Sequence, residues 1–397
     1  MTTLNTAGVQ DADTENPEQV KPLESMEPAL SHGHTIMTRR EFAIVVADVL
    51  VMLALLKFLP YKFETNAGLA LLVFAGVLWL TEAIHITLTA LIVPVLAVTF
   101  GLMDMEKSLQ SFSDPTIFLF FGGFVLATAF HVQGIDRLIA NRVLLLARGN
   151  FGAAAVLMFV ATAALSMWIS NTATAAMMLP LALGILSNLD TGKERNTFVF
   201  LLLGVAYSAS IGGLGTPVGS PPNMITINYL KTIGIEIDFV GWMKYGIPLT
   251  LIMMVVMVGV LYCVFRPNFA HRVEIEKLHF TWTRPRVIAV AVFLAAALCW
   301  IFSSQLSGFV GGKQFDSYVA VAAAVLVGVS GVASWKQIQM NTEWGVLLLF
   351  GGGLALSSIL KISGASVVMA QAVSGVLGDG HWFIVMVTSV AFIILLT

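Results

Sequence analysis

Charge is what this chain has least of. Asp, Glu, Lys and Arg make up 11% of its 397 residues, against about 25% in an ordinary globular chain. A water-soluble fold of this size could not clothe its surface with so few, and 57% of the residues are hydrophobic. The net charge of -2, with no basic domain or stripe, excludes a nucleic-acid partner. Cysteine is nearly absent. Cys263 and Cys299 stand alone in apolar runs, which excludes a disulfide framework or thiolate metal site and leaves packing. Nucleophile–base pairings are missing too: Ser170 has no His or Lys nearby, and neither His-Glu-x-x-His nor Gly-x-Ser-x-Gly occurs. The chain reads as no enzyme. No signal peptide is visible in these residues. The first 35 or so residues are acidic, Pro-containing and without a long apolar core, as in a disordered tail, and His32 and His34 there are too sparse for a metal site.

Long apolar runs are what remain. Runs of about 20 residues cross a hydrocarbon core of about 30 Å. The pattern predicts spans at 42–59, 67–82, 84–101 and 115–134, then a block at 152–187 interrupted at Ser170. Further spans fall at 197–211 and 223–234 around a Gly/Pro loop, then at 245–265, 286–304, 318–333 and 344–361, with a last run from Trp382. The fold class is an all-α polytopic membrane protein set in the lipid bilayer. Leaving aside Lys21 of the tail, treating 152–187 as a re-entrant hairpin puts thirteen basic residues, including every Arg, on one side and seven on the other. That bias predicts a cytoplasmic N-terminus in a cell inner (plasma) membrane. A full crossing there would move the basic loop 266–286 outside.

Two polar breaks interrupt the apolar runs. One is Ser170-Asn171-Thr172, with Ser166 before it and Thr174 after. The other is Gly212 to Asn223, whose Gly and Pro density no continuous helix survives. An unpaired polar group in hydrocarbon costs several kcal/mol, so such breaks face a partner helix, a cavity or a solute. A pair of broken segments suggests a solute site built from discontinuous helices. Hydroxyls, a side-chain amide oxygen and freed carbonyls would suit sodium, a hard cation, without adding fixed charge. The freed helix N-termini would suit a carboxylate. Neither segment contains Arg or Lys, which fits charge compensation by sodium.

The chain also repeats itself. Leu119-Phe120-Phe121-Gly122-Gly123 matches Leu348-Leu349-Phe350-Gly351-Gly352 at an offset of 229, and Gly134 and Gly364 agree to within one residue. The two spans run in opposite directions in the predicted topology, the trace of an inverted repeat. The offset carried from Ser170 places a second Ser-Asn-Thr near position 399, so a C-terminally truncated transporter is expected.

These residues resemble the divalent anion/sodium symporters, which carry dicarboxylates, citrate or sulfate. The matching pieces are Trp79-Leu80-Thr81-Glu82-Ala83-Ile84, Asp114 with Phe120-Phe121-Gly122-Gly123-Phe124, Ser170-Asn171-Thr172-Ala173-Thr174, and Gly215-Thr216-Pro217-Val218-Gly219-Ser220-Pro221-Pro222-Asn223. The resemblance implies an elevator-type homodimer with a scaffold and a moving transport domain bearing two hairpins. Its cargo would be one dianion and at least two sodium ions. Ser166, Ser170, Asn171 and Gly219 match positions used around the first sodium; Ser170, Asn171, Thr172 and Ser220 match positions near the substrate carboxylate. The second Ser-Asn-Thr is not in the sequence, and His85 stands where Pro is expected. The implied organisation is a disordered cytoplasmic tail (1–38), scaffold spans (39–150), and half a transport domain with hairpin and broken helix (151–270). Scaffold spans of the second repeat (271–380) and the start of a second, truncated hairpin (381–397) follow.

The function so implied is sodium-coupled symport of a C4-dicarboxylate such as succinate. Citrate, sulfate or another oxyanion, proton coupling, sodium-independent exchange and a passive channel remain open. Ser166 could instead pack helices. Glu82 and Asp114 fit capping or interfacial roles better than proton carriage, and His131 a structural one. Phe118, Phe120, Phe121 and Phe124 form a packing face, which a dimer interface could use; Pro94, Pro180 and Pro248 are expected to kink or end helices.

Overall fold

The computed structural model describes residues 37–187, 189–190, 193–273, 277–310 and 314–377, together with 386–387 and 390. The tail up to residue 36 with His32 and His34, Lys313, and nearly all of the run from Trp382 lie outside the described residues. The helices are α1 (Arg39–Phe58), α2 (Phe63–Thr81), α3 (Ile86–Thr99), α4 (Met105–Gln110), α5 (Pro115–Gln133), α6 (Ile135–Leu145), α7 (Phe151–Ser166), α8 (Asn171–Leu186) and α9 (Arg195–Gly212). After the second break come α10 (Pro221–Thr232), α11 (Phe239–Phe265), α12 (Arg284–Ile301), α13 (Ser303–Leu306), α14 (Phe315–Val329), α15 (Trp335–Asn341), α16 (Trp344–Ile362) and α17 (Ala365–Leu377). No strand occurs among the described residues; one isolated bridge joins Asn150 to Arg272.

Local chemistry sets the helix ends. Thr38 and Glu41 close a capping box at α1. Asp114 Oδ1 accepts from Thr116 N at 2.8 Å, and Pro115 follows at the first helical position of α5. Asp114 is therefore a cap. His85 caps α3, its Nδ1 accepting from Thr87 N at 3.3 Å, a duty that proline could not perform. Pro94, Pro180 and Pro248 lie inside α3, α8 and α11, so none of them ends its helix. α7 and α8 have 16 residues each, about 24 Å at 1.5 Å per residue, too short to cross a core of about 30 Å. Four residues join them, and α9 packs on both.

Several helices depart from the sequence reading. α6 occupies 135–145, outside the expected spans, and carries Arg137 and Arg142 beside its buried Ile135, Ala140 and Leu144. α11 starts at Phe239 rather than 245, with Asp238 as its cap. Short α4 and α15 precede the two repeat-bearing helices, and α17 follows the second.

The internal correspondence has an offset of 230, one more than the Gly-Gly match suggests. The αL glycines Gly134 and Gly364 obey it, as do the caps Asp104 of α4 and Ser334 of α15. Packing obeys it too. α5 lies along α14, and α16 along α3. A Cβ on Gly122 would stand 2.4 Å from the Ala320 carbonyl oxygen, and one on Gly352 would stand 2.6 Å from Ala90 Cα. Ala90 and Ala320 are again 230 apart. The self-corresponding pair, Phe120 and Phe350, stacks with centroids 4.8 Å apart. Phe120 and Phe124 are thus buried within the chain, while Phe118 is exposed.

Four bodies of apolar packing form among the described residues, and two of them frame the polar breaks. Buried residues of α6 to α9 and α11 form one, including Phe151, Met158, Phe159 and Phe200. The other combines α5, α12, α14 and α16 with Val218, Met224, Ile227 and Phe239. At the rim of the first, Glu194 accepts from Asn268 Nδ2 and Thr197 Oγ1, and His271 Nε2 lies 3.1 Å away. These hydrogen bonds, Asn268 first, hold the Glu194 carboxyl below its ordinary value. Their contribution is therefore present above the unfolded carboxylate value and is lost as pH falls through the lower folded one. Glu194→Gln is expected to speed amide exchange over Asn268–Val273 at neutral pH. Acidification should lower protection, corrected for the intrinsic exchange rate, in the parent but not in the variant; equal exchange in both at neutral pH would remove this role.

Candidate functional site

The fold brings the two polar breaks together. Ser166, at the end of α7, is fully buried, and its Oγ lies 2.6 Å from the Ala209 carbonyl and 2.8 Å from Asn171 Oδ1. One hydroxyl proton serves one acceptor. Turning the Asn171 amide by 180° makes the second contact a donated N–H; left as drawn, it leaves an oxygen pair in need of a cation. Ser170 opens α8 as its cap, its Oγ accepting from Ala173 N at 3.4 Å.

The Gly/Pro loop wraps the connection between α7 and α8. Thr216 Oγ1 donates to the Met167 carbonyl and accepts from Gly219 N at 3.1 Å. Asn223, 2% exposed, donates both amide protons, to Gly213 O at 2.7 Å and Thr216 O at 2.8 Å. Trp242 Nε1 holds Leu214 O at 3.0 Å from the far side. Glycine is needed here for space. A Cβ on Gly213 would lie 2.4 Å from Asn171 Oδ1 and 2.9 Å from Gly219 O; one on Gly219 would lie 2.7 Å from Gly213 O and 3.0 Å from Met167 O. Asn171 Oδ1 and the Gly219 carbonyl thus crowd Gly213, and the carbonyls of Gly213 and Met167 crowd Gly219, so neither glycine admits a methyl group. Thr174 Oγ1 and Ser208 Oγ, on the facing helices α8 and α9, are buried with no hydrogen-bond partner among the described residues.

Of the residues expected at the site, Ser166, Asn171 and Gly219 share this oxygen-rich cluster. Ser170 faces a neighbouring cavity of about 500 Å³. Thr172 is exposed and Ser220 half-buried, and neither hydrogen-bonds to the cluster among the described residues. Thr216, Asn223 and Gly213 do much of the positioning without having been assigned a role. Thr216 and Asn223 were legible as polar residues inside the second break; their partners, being backbone carbonyls, left no trace. Trp168, beside the Ser-Asn-Thr turn, was not singled out either. It packs edge-on to Phe293 at 5.1 Å, and Phe239 stacks on Trp300 at 4.8 Å behind it, docking the turn against α12. α10 opens on Pro221 and Pro222, so its first turn offers few N–H groups to an anion.

The model of a family described as "Citrate transporter" matches residues 76–397. The chain belongs to the citrate transporter family. It is 48% identical over 371 residues to an uncharacterized transporter of Haemophilus influenzae, covering 91% of this chain and 79% of the relative. An uncharacterized transporter of Methanocaldococcus jannaschii is 36% identical over 330 residues, 83% and 74% of the two chains. A protein of Staphylococcus aureus named sodium-dependent dicarboxylate transporter SdcS is 29% identical over 352 residues, 81% and 67%. The resemblance to divalent anion/sodium symporters agrees with these matches. This citrate-family protein is a transporter and no enzyme. Among the described residues, five helices are long and apolar enough to cross a membrane, and the protein is a multi-pass membrane protein.

Gly213→Ala probes the cluster in this transporter with the least change. Gly213 has helical φ and ψ of -57° and -17°, so alanine strains no dihedral and acts only through space. Its methyl group would push the Asn171 amide away from Ser166. If a cation binds at this cluster, the expected result is a rise of about tenfold or more in the cation concentration needed for half-maximal uptake, a shift of roughly 1.4 kcal/mol. Protein in the membrane should hold level, and an unchanged cation dependence would refute the placement.

Proposed function

We propose that this transporter is a sodium-coupled symporter of a C4-dicarboxylate such as succinate. The observation that carries the reading is the oxygen cluster at the meeting of the two breaks. Ser166 Oγ, Asn171 Oδ1 and the carbonyls around Gly219 offer a desolvated cation the hard oxygens it needs, and no Lys or Arg occurs between 149 and 192 or between 196 and 230. A dianion would then rest on sodium, on Ser170, Asn171, Thr172 and Ser220, and on the α8 N-terminus. With no fixed cation present, loss of sodium releases the anion.

The printed name of the S. aureus relative supports a dicarboxylate and sodium; the family description supports citrate as the competing substrate. The reciprocal packing of α5 on α14 and α3 on α16 supports an inverted-repeat scaffold. In this reading α7 to α9 belong to a transport domain that moves as an elevator within a homodimer. The protein sits in the cell's inner (plasma) membrane with its N-terminus in the cytoplasm, as the basic residues indicate. Uptake of labelled succinate, citrate and sulfate into proteoliposomes, with sodium exchanged for choline, is the test. Sodium-driven succinate accumulation is expected. Uptake indifferent to sodium would leave proton coupling, exchange or a channel and overturn the sodium-symport reading.

A further inference from the structure

The cavity that Ser170 faces has a second character. Its apolar lining comes from Phe124 and Ala127 of α5, from Ala173, Met177 and Leu181 of α8, and from Ile169. Thr128 adds no polarity, because its hydroxyl donates to Phe124 O on its own helix at 2.8 Å. Ser170, Asn141 and Asn341 add polar atoms to the lining, and the charged groups gather where α5 passes into α6. There Asp136 is 1% exposed and already occupied: His131 Nδ1 lies 2.9 Å from Oδ2, and Arg137 N donates to Oδ1 at 2.7 Å. The Arg137 side chain is exposed and makes no ion pair among the described residues. What faces an entering molecule is thus a cationic rim leading to an apolar slot of about 500 Å³, a volume within the range of small-molecule sites.

We propose that this slot binds a long-chain carboxylate, its chain between α5 and α8 and its head group on Arg137. The complementarity excludes the other classes nearest in chemistry. A short dianion would leave the apolar walls uncovered and would place a second charge among them, which is costly without a partner. A neutral alcohol would fill the walls and leave the guanidinium without a counter-charge. A long-chain carboxylate satisfies both ends, and a chain lodged there would bridge the helix carrying Ser170 to α5.

The test is photolabelling of the intact transporter in membranes with a diazirine-tagged dodecanoate, mapped by mass spectrometry, with neither sodium nor dicarboxylate present. This reads the slot independently of whether the protein is a sodium symporter. Labels are expected within Phe124–His131 and Ala173–Leu181, displaced by excess dodecanoate and not by butanoate or dodecanol. Arg137→Gln, an exposed position, should lower the yield about tenfold through loss of a charge-assisted contact. Ala176→Phe should remove the label by filling the slot. Label spread over the exposed apolar residues of α11 alone would overturn the proposal, as would equal yield in Arg137→Gln or equal displacement by dodecanol.

Discussion

Asn171→Ala is expected to abolish sodium-coupled uptake while leaving the protein in the membrane at the parent level. Asn171 is the side chain at which both breaks meet, 2.8 Å from Ser166 Oγ and against the space left by Gly213. Its amide offers an acceptor for a cation and a donor for a carboxylate. Truncation removes both, and Ser166 keeps its contact with Ala209 O at 2.6 Å, so the packing of α7 on α9 survives. Leaving a buried polar group unpaired costs about 1–3 kcal/mol, or roughly 5- to 150-fold. Cation and anion binding suffer together, so at least the upper end of that range is expected in the initial rate. Uptake with parent-like sodium dependence in the variant would sink the assignment.

Much of this site could be read before the fold was known, for a physical reason. In an apolar chain a hydrogen-bonding residue is costly, so Ser166, Ser170, Asn171 and Thr216 stand out against their surroundings. The Gly/Pro loop stood out because such residues end helices. What could not be read is the work done by backbone atoms. The carbonyls of Met167, Ala209, Gly213 and Gly219 carry no residue signature, yet they set the geometry of the cluster. The same limit hid α6, whose Arg137 and Arg142 dilute its hydropathy while its apolar face packs inward. It also shifted the repeat. Two glycines aligned at 229 by letter, but three glycines stand at Gly351 to Gly353, and only packing shows that Gly352 answers to Gly122.

Gly122→Val and Gly352→Val are expected to destabilise the protein severely and by similar amounts. Each glycine lies where two helices touch through backbone: Gly122 of α5 against Ala320 of α14, Gly352 of α16 against Ala90 of α3. The obstructing atoms are main-chain carbons and oxygens held in helices, together with the alanine Cβ at 2.6 Å in each case, so rotamer change cannot relieve the clash and the main-chain contacts persist without the methyl group. Trimming Ala320 or Ala90 to glycine should therefore give little rescue. Overpacking of this kind costs typically 1–3 kcal/mol and more when the backbone must part, and close approach through small residues is what holds membrane helices together. Gly353→Ala supplies the control, since nothing lies within 4 Å of its Cβ; a helical Gly→Ala exchange there should be neutral or stabilising by about 0.5–1 kcal/mol. The measurement is thermal aggregation of detergent-solubilised protein. If Gly122→Val proves harmless while Gly352→Val is destructive, the two contacts are unrelated, and the corresponding halves do not form one reciprocal seam.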